Sequence, residues 1–244
     1  MSTRPLVSDG LTQDASIWRF ERKYFIDNLS KYSIEMELLQ HPACFSEVYY
    51  PRKINNIYFD TIGMTAFRDN VEGVANRNKS RIRWYDETFG CIEKPVLEYK
   101  VKRGLLGRKS HFELCPFEIN ASLGLTKVLK ALDTSSLPIW VSTEMKMLSA
   151  KLLNSYTRKY FLSADGRFRV TLDTDLKFIY TDISKRSFIW KNLNERSSIV
   201  ELKYSVTDDF DAREISSRFR FRMTKSSKYV LGIQNTVLPG TYQF

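Results

Sequence analysis

Five segments of this chain alternate charged and apolar residues with a period of two, and that alternation constrains the fold more than any other feature. Successive side chains on a strand point to opposite faces. Arg19, Glu21 and Lys23 therefore share one face, with Phe20 and Tyr24 on the other. The same division sets Arg81 and Arg83 against Ile82 and Trp84, and Glu98, Lys100 and Lys102 against Leu97, Tyr99 and Val101. It sets Arg167, Arg169 and Asp173 against Phe168, Val170 and Leu172, and Glu201 and Lys203 against Val200, Leu202 and Tyr204. The charged faces are mostly Arg and Lys with a few carboxylates, and almost no Ser, Asn or Gln.

Two architectures accommodate this. In the first, the apolar faces make the core and the charged faces are solvated, which is the simpler reading of any single strand. In the second, the sheet closes on itself with the charges inside. Like charges opposed across strands repel, and a cationic interior is costly when empty. Five such faces together favour a small barrel whose lumen takes an anion of high charge density. The expected fold is α+β: a closed antiparallel β-barrel tunnel with helices packed on the outside.

Lys and Arg outnumber Asp and Glu by 38 to 28, a formal charge of +10, which calls for an anionic partner. Nucleic acid, acidic lipid and a small polyanion all qualify on charge alone. An RNA-binding surface should interleave exposed aromatics with its basic residues. Here the strand aromatics mostly lie opposite the charges, so nucleic acid is disfavoured. Cys44, Cys91 and Cys115 are odd in number and form no C-x-x-C pair, against a disulfide framework or a zinc site. His41 and His111 are isolated in sequence. The chain shows no signal-peptide core and no run of 18 apolar residues, so a cytoplasmic protein without a membrane segment is expected.

In this chain of 244 residues, 1–16 read as a flexible leader and 17–244 as a single domain. Strands are expected over Ile17–Ile26, Asn55–Asp60, Ser80–Asp86, Val96–Arg103, Lys109–Leu114, Ser155–Leu162, Arg167–Leu172, Phe178–Thr181 and Ser198–Val206. Helices are expected over Asn28–Gln40 with Asp27 as N-cap, up to Phe67 with Thr61 as cap, and over Leu125–Leu132, Ser142–Leu153 and Asp209–Phe219; Lys228–Gln234 reads as a short amphipathic helix or turn. Gly104-x-x-Gly107-x-Lys109-Ser110 is too short between its glycines for a P-loop, and lies between strands.

These strands, in this order, resemble the catalytic domain of the VTC polyphosphate polymerases, of the triphosphate tunnel metalloenzyme (CYTH-like) superfamily. The matching stretches are Arg19-Phe20-Glu21-Arg22-Lys23-Tyr24, Ile57-Tyr58-Phe59-Asp60, Arg81-Ile82-Arg83-Trp84-Tyr85 and Glu98-Tyr99-Lys100. Further on come Gly107-Arg108-Lys109-Ser110, Tyr156-Thr157-Arg158, Arg169 to Leu176, Glu201-Leu202-Lys203 and Lys225-Ser226-Ser227-Lys228-Tyr229. Each motif is short; their shared order and spacing make the set specific.

The resemblance implies a tunnel barrel in which Lys23, Arg81, Arg83, Lys100, Lys109, Arg158, Arg169, Lys225 and Lys228 contact phosphates. Arg19 and Lys203 are further lumen candidates. It implies that Glu201 binds Mn²⁺ or Mg²⁺, with Glu21 and Glu98 as weaker candidates better read as orienting neighbouring cations. A salt bridge to a lumen arginine is the competing role for Glu201. Asp173 and Asp175 read as strand-end or turn residues. Arg19-x-Glu21-x-Lys23, in place of the superfamily's E-x-E-x-K, is similar to the VTC branch. The leader is too short for the sensor domain of the eukaryotic members, and their membrane segments are not expected here.

Phosphoryl transfer needs positioning and charge neutralisation more than a protein nucleophile. Guanidinium groups bind phosphate oxygens bidentately and stay charged. The expected substrates are ATP or another nucleoside triphosphate and a polyphosphate or tripolyphosphate chain. Transfer of the γ-phosphoryl to a growing chain is one outcome. Hydrolysis, and binding without catalysis, are the alternatives on the same barrel.

Overall fold

The structure is a computed structural model that describes residues 19–104, 106–120, 125–182 and 187–237. The leader, the start of the first expected strand at Ile17 and part of the turn before Gly107 lie outside the described residues. The strands are β1 (Arg19–Ile26), β2 (Ser46–Asp60), β3 (Asn76–Tyr85), β4 (Gly90–Ile92), β5 (Val96–Arg103), β6 (Leu106–Glu113), β7 (Phe117–Ile119), β8 (Ser149–Leu162), β9 (Arg169–Asp182), β10 (Ser187–Asn192) and β11 (Ser198–Ser205). The α-helices are α1 (Lys31–Leu39), α2 (Thr65–Val71), α3 (Leu125–Thr134), α4 (Ile139–Lys146), α5 (Asp209–Arg218) and α6 (Lys228–Thr236). The class is the expected α+β.

Nine strands form one antiparallel sheet in the order β10-β9-β11-β1-β6-β5-β3-β2-β8, and β8 also pairs with β9. The ladders thus run from β9 through β11, β1, β6, β5, β3, β2 and β8 back to β9. The thinnest joint in that circuit is β1–β6, which rests on the one pair Arg19↔Gly107. β4 and β7 form a separate two-stranded ribbon.

The period-two rule explains how the layers divide. The outward residues Ile57, Phe59, Ile82, Trp84, Leu97 and Tyr99 pack under α3 and α4 through Val128, Leu132, Val141 and Met145. Tyr24, Ile26, Val170, Leu172, Val200 and Leu202 pack under α1 and α5 through Ile34, Leu38 and Ala212. Each fully buried aliphatic or aromatic side chain contributes about 1.5–3 kcal/mol, so these two apolar layers hold the sheet's curvature from outside.

Helix α6 corrects the expectation that helices lie only outside. Its Tyr229, Leu231 and Ile233 pack with Ile54 and Tyr58 of β2, Leu152 and Tyr156 of β8 and Phe178 of β9, on the inner side of the sheet. Gly232 permits this close seat, because a Cβ there would lie 2.3 Å from Leu152 Cδ2 and 2.6 Å from Phe178 Cδ1. One end of the interior is therefore filled by an apolar helix.

Several element boundaries differ from the sequence reading. The helix expected over Ser142–Leu153 is α4, ending at Lys146, followed by β8 from Ser149. Leu152 and Leu153 are both buried, one on each face of the sheet, so β8 loses the alternation that marks a half-exposed strand. β2 starts at Ser46 rather than Asn55, because its first half is exposed and carries bulges at Glu47/Tyr49 and Tyr49/Arg52. The two strands expected between Arg167 and Thr181 are one, β9, which continues through Asp175 at φ 54° opposite a register shift in β8. α1 starts at Lys31, where the Ser30 side chain accepts from the Ser33 N–H at 3.1 Å, so Ser30 and not Asp27 is the N-cap. The expected Thr61–Phe67 helix is α2, shifted to Thr65–Val71.

Candidate functional site

The inner faces of the strands bring the expected charges together in three linked groups. The first centres on Glu98 of β5. Its oxygens accept from Arg81 Nε at 2.7 Å and Lys109 Nζ at 2.7 Å, and Arg83 Nη1 lies at 3.3 Å. Arg83 Nε also donates to Asn56 Oδ1 at 3.0 Å, and Asn56 in turn donates to Asn154 Oδ1 at 2.8 Å, which fixes the guanidinium between β2 and β8. Arg81 Nη1 reaches Tyr58 Oη at 3.1 Å. His111 Nε2 stands 3.8 Å from the same carboxylate.

The second group centres on Glu201 of β11 and Asp173 of β9. Glu201 lies 3.2 Å from Lys23, 3.0 Å from Lys203, 3.4 Å from Lys228 and 3.7 Å from Arg158. Asp173 accepts from Arg158 Nε and Nη2, at 2.5 and 2.7 Å, and pairs with Lys228. The third is Glu21 of β1, which accepts from Lys100 at 2.7 and 2.8 Å and lies 3.7 Å from Lys23. Lys23 thus links the second and third groups.

One lysine of this site escapes a reading that starts the third strand at Ser80. Lys79 is on the inner face of β3, two residues before Arg81; its Nζ donates to Ser227 Oγ at 2.7 Å, and the Asn70 amide oxygen is placed to accept from it at 3.1 Å. Extending the alternation of Arg81 and Arg83 backward by one step would have found it. Lys228 is among the expected phosphate contacts; its partner Asp173, which the alternation puts on a charged face, reads from the sequence as a strand-end or turn residue. Asp173 is wholly buried in the middle of β9, so its assignment as a strand-end residue is corrected; Asp175, at the positive φ, does sit at an irregularity.

Other expected residues fall elsewhere. Arg169 opens β9 opposite Lys203 and is exposed, and Lys225 is exposed in the segment leading to α6. Arg19 is half-buried at the β1–β6 joint. Arg167 is not on the inner face: it precedes β9 and pairs with Asp165, Asp208 and Asp211. His41 is a core residue, bonded to the Ile215 carbonyl and the Ala43 N–H. A groove of about 1580 Å³ lies between α1 and residues 218–227; its lining reaches Ser227, which accepts from Lys79 of the charged interior.

Nine inward cations (Lys23, Lys79, Arg81, Arg83, Lys100, Lys109, Arg158, Lys203 and Lys228) surround four carboxylates (Glu21, Glu98, Asp173 and Glu201). Burial and the crowding of these cations shift the ionisation of several lysines. Burial, and then Lys23, Lys100, Arg77 and Arg81, push Lys79 well below the ordinary lysine range. Burial drives Lys109 down to about 7, with Arg83 and Arg81 adding to it against the pull of Glu98. Burial likewise lowers Lys100 to about 8, although Glu21 holds it in a charged-pair geometry at 2.7 Å. Glu21 moves oppositely: burial would raise it, but Lys100 and Lys23 keep it below the carboxylate range. The pair is charged near neutrality, and Lys100 is the partner that gives up its proton as pH rises.

Between about 7 and 10.5 for Lys109, and about 8 and 10.5 for Lys100, the unfolded chain holds a proton that the fold has released. The unliganded protein should therefore gain stability from these two groups as pH rises through that window. A bound polyanion reverses the preference and reprotonates them. Tripolyphosphate binding at about pH 8.5 should take up protons, and its affinity should fall as pH rises from about 7 to 10. Titration calorimetry in buffers of different ionisation enthalpy reads the uptake directly; proton release on binding would contradict the assignment.

The carboxylates also bear on metal binding. Among the described residues no group of three or more His, Cys, Asp and Glu is placed to hold a cation by itself. Mg²⁺ and Mn²⁺ are commonly held by one or two carboxylates together with substrate phosphates. Glu201 and Asp173 both contact Lys228 and Arg158, so a cation held there would have to displace part of that pairing. Glu98 is enclosed by Arg81, Arg83 and Lys109, and Glu21 by lysines, as carboxylates that orient cations. Among the described residues no helix is long and apolar enough to cross a membrane.

With this geometry in view, comparisons with known proteins place the chain. The sequence model of the VTC domain matches residues 18–237. A candidate adenylate cyclase from Vibrio parahaemolyticus has a similar structure, with 13% identity and a TM-score of 0.50 over 87% of this chain and 98% of that one. The PH1819 protein from Pyrococcus horikoshii OT3 is similar at 12% identity and a TM-score of 0.52, over 89% of this chain and 99% of that one. At such identities the likeness carries the fold alone. No curated protein matches the sequence.

Proposed function

The chain belongs to the VTC domain family, and from that premise we propose that its circuit of strands encloses a tunnel in which a triphosphate-type substrate is bound and its terminal phosphoryl group transferred. The observation that carries the reading is the excess of inward cations over carboxylates, with Lys79, Lys100 and Lys109 all depressed by burial first, and neighbouring cations adding to it. A solvated basic surface has no such signature, because water relieves the repulsion.

In this reading a nucleoside triphosphate, ATP being the expected one, lays its phosphates along Arg83, Arg81 and Arg158. Guanidinium pairs fix the phosphoryl group in line, and lysines neutralise the chain on either side. Lys23, Lys100, Lys109, Lys203 and Lys228 are positioned to release their present carboxylates and take phosphate oxygens instead. The acceptor is the end of a growing polyphosphate chain. With water as acceptor the same site is a tripolyphosphatase, and with neither it is a polyphosphate-binding module. Mn²⁺ or Mg²⁺, held by Glu201 and phosphate oxygens, would supply charge neutralisation at the transferred phosphoryl. Nucleic acid is not the expected partner: the cations sit inside a narrow curved sheet rather than on an open face. A cytoplasmic location agrees with these substrates.

Incubation of the protein with ATP and Mn²⁺, with products resolved on a gel, separates the outcomes. Long polymers support transfer to polyphosphate, and orthophosphate alone supports hydrolysis. Tripolyphosphate at about 100 times its Kd should stabilise the fold by about 2.7 kcal/mol, read as a rise in Tm. No rise with tripolyphosphate, alongside a clear rise with RNA, would sink the tunnel reading.

A further inference from the structure

At the end of the interior opposite α6, solvent-exposed tyrosines stand among basic residues. Tyr49 lies across from Tyr160 in the β2–β8 ladder, with the rings edge to face at 5.6 Å. The Arg52 guanidinium lies 5.6 Å from the Tyr49 ring and 5.8 Å from the Tyr85 ring. Tyr85 follows Arg81 and Arg83 on the inner face of β3. Behind these residues Arg158 stands 5.9 Å from the Tyr160 ring. Tyr49 and Tyr85 are 56% and 40% exposed, whereas Arg83 and Arg158 are each 7% exposed, so the collar leads from solvent to the buried cations.

A bare phosphate chain has nothing to stack on these rings. A nucleobase does: every base has a π-face, and stacking on aromatic or arginine planes is sequence-tolerant. The bulges at Glu47/Tyr49 and Tyr49/Arg52 turn successive residues of β2 so that Tyr49 and Arg52 both reach this mouth. We propose that Tyr49, Arg52, Tyr85 and Tyr160 form a base-binding collar for a nucleoside triphosphate whose phosphates run inward past Arg83 and Arg158. Purines, with the larger stacking area, are favoured over pyrimidines. The proposal rests on the phosphate-tunnel reading and adds to it the end by which the nucleotide enters.

The test compares ATP with inorganic tripolyphosphate, by titration calorimetry without added metal, on the wild type, the Tyr49→Ala/Tyr85→Ala double variant, the single Tyr85→Ala variant and the Tyr49→Phe/Tyr85→Phe control. The double alanine variant should bind ATP about tenfold or more weakly and tripolyphosphate within about twofold of wild type. The single alanine variant should fall between, and the phenylalanine control should retain ATP affinity because the rings remain. Unchanged ATP affinity in the double alanine variant, with tripolyphosphate binding intact, would overturn the collar. An equal loss of both ligands would overturn it too, since the tyrosines would then support the interior as a whole. Wild-type protein that binds ATP but not tripolyphosphate would instead bring down the phosphate-tunnel reading itself. Tripolyphosphate binding also reports that each variant is folded.

Discussion

Glu201→Gln is expected to lower metal-dependent turnover by about 100-fold or more, the scale of losing one electrostatic stabiliser at a reacting centre, while phosphate-chain binding survives. Burial alone would raise this carboxyl, but Lys228, Lys23, Lys203 and Arg158 hold it well below the usual carboxylate range, so it is ionised at neutral pH. The amide keeps the shape and an acceptor oxygen but loses the charge that a divalent cation requires. It also leaves the interior one unit more positive, so tripolyphosphate should bind as tightly as before or more so. Turnover with Mn²⁺ and calorimetric binding without it read the two effects separately. A Gln variant with full activity would remove Glu201 from the metal site and leave it as a partner of the lumen cations.

Asp173→Asn is expected to act mainly on stability. The Arg158–Asp173 pair is bidentate, Asp173 is wholly buried, and Lys228 contacts the same carboxylate. Burial opposes ionisation of Asp173, and Arg158 and Lys228 overcome it, lowering its pKa. Removing one partner of a buried pair commonly costs about 3–5 kcal/mol, because the remaining charge is left uncompensated. For a chain of this size each kcal/mol is about 2–4 °C of Tm, so a fall of roughly 6–20 °C is expected. Saturating tripolyphosphate should narrow the gap to wild type, since phosphate oxygens can take the place of the lost carboxylate beside Arg158. A Tm unchanged from wild type would show that the pair contributes little, and that Arg158 is held by Tyr156 and Glu201 instead.

Much of the site was legible because alternation is a local property. Arg81 and Arg83, Glu98 and Lys100, and Glu201 and Lys203 all lie on strands with one apolar face, and those apolar faces pack under helices in the structure. The same rule missed Lys79, only because the third strand was started four residues late. It misplaced Arg167, whose neighbours alternate although the residue itself lies in a turn beside three aspartates. It failed on β8, where Leu152 packs inward against α6 and Leu153 outward in the helix-covered layer, leaving no polar face to mark the period.

The amino-acid order by itself determined which side chains share a face of each strand, since the pleat sets that without reference to the rest of the molecule. It could not determine which face turns inward, which carboxylate meets which cation, or that α6 occupies the inner face beside Gly232. Those depend on pairings between residues as distant as Arg158 and Glu201, or Lys79 and Ser227. Such contacts form only when strands far apart in the chain are brought edge to edge, and their strength comes from the exclusion of water that this closure produces.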